Sequence, residues 1–383
     1  MTEKLYETDE TLTVFSARVT GVQKRGEDFA VALDRTAFFP DGGGQAGDRG
    51  TLGSAAVRNT IAEGDAILHL CDAAPAVGDT LSCRVDTAVR FDRMQNHTAE
   101  HIVSGIVHRR FGYRNVGFHL GERETTLDLD GFLDRAALDE AEDEANRAVW
   151  ENLPVTVTYP SPDELARMEY RAKKELTGRV RIVTIPGYDC CACCAPHVAR
   201  TGEIGAIKLL DAIRYKGGVR ILLVAGARAL RDYREKYREV ATVSRLLSLP
   251  QDTCGEGVSR LLADLSAGKQ ERAALRRALC DARLATAVPN EGGNLLFFCD
   301  LCDEDVARHM ALAGSTRTPG VSVVVWEAGN TLRFVMAGKN LRAKLPGLRA
   351  ALACRGGGGD DLLQGTFGAD RAAIARYFAA PLG

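Results

Sequence analysis

Residues 93–106 read RMQNHTAEHIVSGI and residues 189–200 read DCCACCAPHVAR. His97 and His101 stand four apart in a segment of apolar helical periodicity, so a helix places both imidazoles on one face. Cys193 and His197 repeat that spacing, but Pro186, Gly187 and Pro196 make a helix unfavourable and predict a loop. Two ligands from a helix and two from a loop can close a tetrahedral zinc site. Cys190, Cys191 and Cys194 lie close enough to compete with Cys193, and spacing does not choose among them. The pattern is not that of an H-E-x-x-H protease, because Thr98 occupies the position reserved there for the general base. Four protein ligands normally make a closed structural site, whereas catalytic zinc keeps a position for water or substrate.

At 383 residues the chain has room for two or three domains, each with its own core. Apolar residues at 45% and charged residues at 26% describe an ordinary globular protein. The first residues, MTEKLYETDE, are charged, and no run approaches the roughly 18 apolar residues of a membrane span. A cytoplasmic protein is expected. Of the 11 cysteines, four crowd into 190–194, which in a chain of this size favours metal ligation over a disulfide scaffold. A net charge of −2 restricts any nucleic-acid site to a local basic patch.

Outward from the two segments, residues 11–85 are strand-like, with TLTVFSARVTGV, FAVALDRTAFF, AILHL and DTLSCRVD separated by turn residues. Helices are expected over Arg90–Phe111, over 133–153 and from Pro162 through PDELARMEYRAKKEL. Residues 202–226 read as two strands joined at Lys216-Gly217-Gly218. A charge-mixed helical stretch follows from about Ala227 to Leu284, broken by Pro250 and by CGEG (254–257). NLLFFCD, VSVVVWEAG and TLRFVMAG then introduce a small α/β domain ending in RGGGGDDLLQGTFGAD. The fold class expected is α+β with four parts: an N-terminal β-barrel-like domain (1–89), an α+β zinc-containing domain (90–228), a coiled-coil-like helical linker (229–289) and a glycine-rich C-terminal domain (290–383).

HTAEH, then CCAPHV, with TAFFPDGGGQAGDRG (36–50) upstream, resemble the editing domain of alanyl-tRNA synthetases and the freestanding AlaX-type editing proteins. TGEIGAIKLLDAIRYKGGVRILLVAG resembles the segment closing that domain, and RGGGGDDLLQGTFG is more loosely similar to the synthetases' C-terminal domain. The whole chain resembles the long AlaX form; the start leaves no room for an aminoacylation module. The resemblance implies Zn2+ on His97, His101, Cys193 and His197, and hydrolysis of the aminoacyl ester of mischarged tRNA-Ala carrying serine or glycine. It places Thr36 beside the amino-acid pocket, where a hydroxyl can read serine, and pairs it with Gln45 as a catalytic candidate. Gly42, Gly43 and Gly44 become substrate-binding candidates, although glycines after Pro40 also suit a plain tight turn.

This sequence departs from the family at Ala195 and Pro196, where glycine and threonine usually precede the histidine. No carboxylate stands out as general base; Glu100 and Asp189 are neighbours of the motifs in sequence only. From Ala337 to Gly359 there is no acidic residue, while Lys339, Arg342, Lys344, Arg349 and Arg355 are present. Lys339, Arg342, Lys344 and Arg355 are the tRNA-binding candidates, and Lys269, Arg272, Arg276, Arg277 and Arg283 form a second basic stretch. The helical region suits a homodimer. Two other readings stand beside trans-editing: a tRNA-binding module with structural zinc, and editing of the threonyl-tRNA type.

Overall fold

The computed structural model describes residues 2–172, 178–300 and 302–382, and it is mixed α and β. It divides into two compact units, Met1–Ala241 and Thr242–Gly383.

The first unit begins with β1 (Glu3–Lys4), β2 (Val14–Arg25), β3 (Asp28–Leu33), β4 (Arg35–Thr36), β5 (Gly50–Leu52), β6 (Ala55–Glu63), β7 (Ala66–Cys71) and β8 (Thr80–Val85). Six of them close a barrel in the order β2-β3-β7-β6-β5-β8. Burial alternates along β7, as strand geometry requires, and the inward side chains Ala17, Val19, Val31, Leu33, Val57, Cys71 and Val85 fill the interior. β5 and β6, which the sequence reading did not separate out, complete the closure.

α1 (Thr87–Phe111) follows, capped by the Asp86 carboxylate on the amides of Ala88 and Val89 and ended by Gly112 at φ 72°. Then come β9 (Asn115–Leu120), β10 (Thr125–Leu129), α2 (Arg135–Glu151), β11 (Thr156–Thr158), α3 (Pro162–Leu165), β12 (Ile182–Ile185), β13 (Asp189–Ala192), β14 (Ile207–Tyr215) and β15 (Gly218–Ala225). β14-β15-β10-β9 form one sheet and β11-β12-β13 another. Ile102, Ile106, Leu138, Ala145, Ile185, Leu209, Ile221 and Leu223 share one core between these sheets, α1 and α2.

Two expectations fail here. The helix expected over 162–176 stops at Leu165; a Ser161–Glu164 capping box starts it, but the backbone of Arg171 instead joins Cys190 and Ala192, which draws the chain toward β13. Residues 173–177 lie outside the described residues. The cysteine segment is not all loop either, since Asp189–Ala192 pairs antiparallel with Ile182–Ile185.

α4 (Ala227–Leu247) reaches past Ala241, and α5 (Cys254–Thr286) follows a single 3-10 turn. CGEG therefore opens α5 instead of breaking a helix. The second unit continues with β16 (Leu295–Phe298), α6 (Glu304–Ser315), β17 (Ser322–Ala328), β18 (Thr331–Ala337), α7 (Leu341–Leu352), β19 (Arg355–Gly358), β20 (Leu362–Phe367) and α8 (Arg371–Ala379). The sheet order is β16-β17-β18-β20-β19. Val323, Val325, Phe334 and Met336 face the core with α7 and α8, while Val324, Trp326, Val335 and Ala337 face α5 and α6. Strand alternation thus builds a three-layer unit. Among the described residues no helix is long and apolar enough to cross a membrane.

Candidate active site and metal centre

Arg90, Arg93, His97 and His101 are spaced by three, four and four residues along α1, so they fall on one face, and all are buried. Buried charges need partners. The Arg90 guanidinium pairs with Asp48 and also donates to the carbonyls of Ala37 at 2.6 Å and Glu10 at 3.0 Å. Arg93 donates to the Gly47 carbonyl at 2.8 Å, and Asp48 accepts the Phe39 amide at 2.7 Å. The helix face therefore grips the 36–50 loop. Within that loop Gly44 has φ 86°, and a Cβ there would lie 2.4 Å from the Phe118 carbonyl oxygen. Glycine alone permits this approach to β9. Gln45 is thereby tucked beneath α1, with Oε1 accepting from His97 Nδ1 at 3.0 Å.

The other half comes from β13 and the turn after it. Gly105 on α1 leaves room for the Tyr188 carbonyl, which would lie 2.1 Å from any Cβ. The chain then runs close enough for Asp189 Oδ2 to meet His101 Nδ1 at 2.8 Å, while Oδ1 accepts from Arg171 Nε at 2.7 Å. Arg181 donates to the carbonyls of Cys193 at 2.7 Å and Ala195 at 2.9 Å. It also pairs with Glu10, whose second oxygen accepts the His197 amide.

The outcome is that the ligand atoms of His97, His101, Cys193 and His197 all lie within 4.8 Å of one another. Cys193 Sγ is 3.5 Å from Nε2 of both His97 and His197. Each Nδ1 is occupied on the outside. Thr98 donates its hydroxyl proton to the Met94 carbonyl at 2.8 Å, so its oxygen must accept from His197 Nδ1 at 3.0 Å. Gln45 and Asp189 likewise accept from the other two rings. The three imidazoles are thus held as Nδ1–H tautomers with their Nε2 lone pairs turned inward, the arrangement metal-ligating histidines use.

Electrostatics agree. Burial opposes the Cys193 thiolate, but the surroundings made by His97 first, then His101 and His197, outweigh it and hold the thiol well below its ordinary value. Burial would raise Asp189, but His101 and Arg171 keep it below the usual carboxylate range. Burial above all depresses His197, to about 3, which keeps its ring neutral. Three inward imidazoles and one low-pKa thiol fit a borderline-soft dication such as zinc. The competing cysteines are disposed otherwise. Cys191 groups with His101 and Asp189, Cys190 meets the Thr184 hydroxyl at 3.7 Å, and Cys194 is exposed.

The remaining candidates are placed less uniformly. Gly42 and Gln45 exchange two backbone hydrogen bonds, at 3.0 and 3.1 Å, around Gly43 and Gly44, so the glycines form a tight turn whose end is the Gln45 amide. Thr36 is buried in β4, outside the four-residue group. Its hydroxyl lies 2.8 Å from His69 Nε2 and 3.1 Å from the Phe38 amide. Lys339, Arg342 and Arg355 are exposed in the second unit, where Arg342 Nε donates to the Gly358 carbonyl of β19 at 3.2 Å. Lys344 is half-buried, its ammonium on the Leu382 carbonyl at 2.8 Å. In the second basic stretch Arg276 pairs with Asp303. Sequence reasoning missed Asp48, Arg90, His69 and the contact of Asp189 with His101. Only the arginines, three apart just ahead of the histidine face, left a readable trace.

A family model described as the threonyl and alanyl tRNA synthetase second additional domain matches residues 180–222. The chain is 26% identical over 384 residues to the alanyl-tRNA editing protein AlaX-L of Pyrococcus horikoshii, covering 95% of this chain and 94% of that protein. It is 28% identical over 246 residues to an alanyl-tRNA editing protein of Danio rerio, covering 63% of this chain and 60% of that one. Against an alanine–tRNA ligase of Methanopyrus kandleri it is 32% identical over 305 residues, 76% of this chain but 33% of the ligase.

Proposed function

From matches that together support a freestanding alanyl-tRNA editing protein, we infer that this chain hydrolyses the aminoacyl ester of mischarged tRNA-Ala, carrying serine or glycine, in trans. In this reading His97, His101, Cys193 and His197 hold a zinc ion, which when bound supplies Lewis-acid polarisation at the ester or its attacking water. The carrying observation is Gln45. Its Oε1 is on His97, while its Nε2, buried, has no protein partner. A buried donor left without an acceptor is costly, and an ester carbonyl or ribose oxygen beside the metal group satisfies it. Gln45 thus both orients His97 and binds substrate.

Neither neighbouring carboxylate serves as base in this reading, since Asp189 bonds His101 and Arg171, and Glu100 accepts from Ser104 and Asn115. That favours a hydroxyl of the substrate's own ribose as the group that moves the water proton. Thr36 reads the serine hydroxyl, and Gly42–Gly44 shape the pocket rim. We assign hydrolysis to parts 1–89 and 90–228. The glycine-rich part, 290–383, takes the tRNA on Lys339, Arg342 and Arg355, with Lys344 weaker because it is tied to Leu382. The linker, 229–289, serves a homodimer; Val258, Leu261, Leu262 and Leu265 lie exposed at helical spacing on α5 and support this. The cytoplasm, where tRNA is charged, is the proposed location.

The test is the full chain incubated with Ser-, Gly- and Ala-tRNA-Ala while ester loss is followed. Ser-tRNA-Ala should be hydrolysed on the order of a hundredfold faster than Ala-tRNA-Ala. His97→Ala should abolish turnover in a protein that still folds. The all-protein donor set also favours a second reading, a structural zinc in a tRNA-binding module; wild type inert on all three substrates decides for it, and equal turnover of all three removes the proofreading claim.

A further inference from the structure

The second unit contains another convergence of soft ligands. Cys280 lies in the last two turns of α5, Cys299 directly follows β16, and Cys302 directly precedes Asp303, the N-cap of α6. Their three sulfurs lie within 4.8 Å of one another. Sulfurs about 2.3 Å from a zinc ion sit about 3.8 Å apart in a tetrahedron, so small side-chain rotations bring all three onto one cation. We propose that Cys280, Cys299 and Cys302 form a second metal site, taking a thiophilic dication of the zinc class and pinning the end of α5 to the β16–α6 junction.

The plain alternative is that each cysteine is a small apolar core residue, as buried cysteines often are. Filler does not require a sulfur from the end of a helix to meet two from a separate loop. Among the described residues the buried thiols of Cys254 and Cys354 belong to no such group. The Cys-x2-Cys spacing is the short chelating loop of structural zinc sites, and Cys280 supplies the third point from a rigid helix. The surroundings also favour it. Leu284, Val306, Ala307, Met310 and Trp326 share the apolar cluster in which Cys280 and Cys299 are buried, with Cys302 packed against it, a low-dielectric setting that strengthens a metal–thiolate bond once formed. Three thiolates around a dication carry one net negative charge. Arg283, three residues on from Cys280 along α5 with Nη1 donating to the Phe298 carbonyl at 3.3 Å just before Cys299, and the α6 N-terminus beside Cys302 both answer it. Cys302 is only half-buried, so solvent can supply the fourth ligand that three cysteines leave wanting.

This site is independent of the editing reading. The test measures zinc per full-length chain after loading with Zn2+ and gel filtration. Cys302→Ser and Cys280→Ala should each remove one equivalent that His97→Ala leaves in place, whether or not the His97 group binds metal. With Co2+ in a Cys193→Ala background, a thiolate charge-transfer band should appear and vanish in Cys302→Ser. Unchanged zinc content in both cysteine variants overturns the site. Should either variant misfold, wild type decides: Zn2+ should slow maleimide labelling of Cys302 and a chelator restore it, and labelling indifferent to both overturns the proposal equally.

Discussion

His69 shows how one side chain sets the hydrogen-bond polarity of another. Its Nδ1 lies 3.0 Å from the Val31 carbonyl, which can only accept, so Nδ1 carries the proton and Nε2 must accept from Thr36. The Phe38 amide takes one lone pair of the Thr36 oxygen. A single acceptor position is left for a ligand, so in the proposed function Thr36 receives the proton of a serine hydroxyl and has nothing to offer an alanine methyl. Thr36→Val should lower serine preference by about tenfold, read as the ratio of kcat/KM for Ser- and Ala-tRNA-Ala. Burial depresses His69 from 6.5 to about 4. The folded state therefore resists a proton that the unfolded state accepts, and stability falls as pH drops from about 6.5 toward about 4. His69→Gln, which keeps a donor and an acceptor but cannot titrate, should lose about 3 kcal/mol less than wild type across that window. Urea midpoints at several pH values check this; parallel curves would sink it. None of it was legible in AILHL, where a lone histidine looks like any strand residue. Only the pairing of Val31 with His69 across β3 and β7 reveals the role.

At the scale of elements, α1 was legible because its apolar period and its two histidines agree, and its observed start differs from the expected one by three residues. What periodicity could not show is that the metal face is polar and buried along its length. Arg90, Arg93, Asn96, His97, Thr98, Glu100 and His101 are all buried, so the helix is held by partners supplied from elsewhere in the fold. The Arg90–Asp48 pair ties its first turns to the loop that carries Gln45. Asp48→Ala leaves the Arg90 guanidinium buried with no carboxylate, and should cost about 3–5 kcal/mol in chemical denaturation. Loss below 1 kcal/mol would mean water reaches the pair. Asp189→Asn keeps the shape beside His101 but removes the charge that favours its Nδ1–H form, so affinity for Zn2+ should drop about 10- to 100-fold in competition with a chromogenic chelator. The failed helix after Pro162 illustrates the opposite case. Local propensity and a capping box start α3, but backbone bonds from Arg171 to β13 win, and contacts that distant leave no trace in a local pattern.

For the whole molecule, each unit has its own closed core, one shared by α1, α2 and their sheets beside the barrel, the other on both faces of a five-stranded sheet. A unit with a core of its own is expected to fold by itself. A chain ending at Leu247 should fold cooperatively by urea denaturation, bind metal through His97 and Cys193, and hydrolyse a seryl ester on a short acceptor-stem helix. If the glycine-rich edge carries the tRNA, the full chain should outperform that fragment only on whole tRNA, and only at low salt. The candidate cations stand out in the sequence because their stretch holds no acidic residue, whereas the bond that brings Arg342 to the Gly358 carbonyl of β19, the strand that carries Arg355, has no local signal. On that reading Arg342→Glu with Arg355→Glu removes two phosphate contacts. In the full chain this should flatten the slope of log affinity against log salt by about 1.5 while leaving kcat at saturating substrate unchanged. A fall in kcat with an unaltered salt slope would place these arginines in the support of the fold and return the anchoring of tRNA to the first unit.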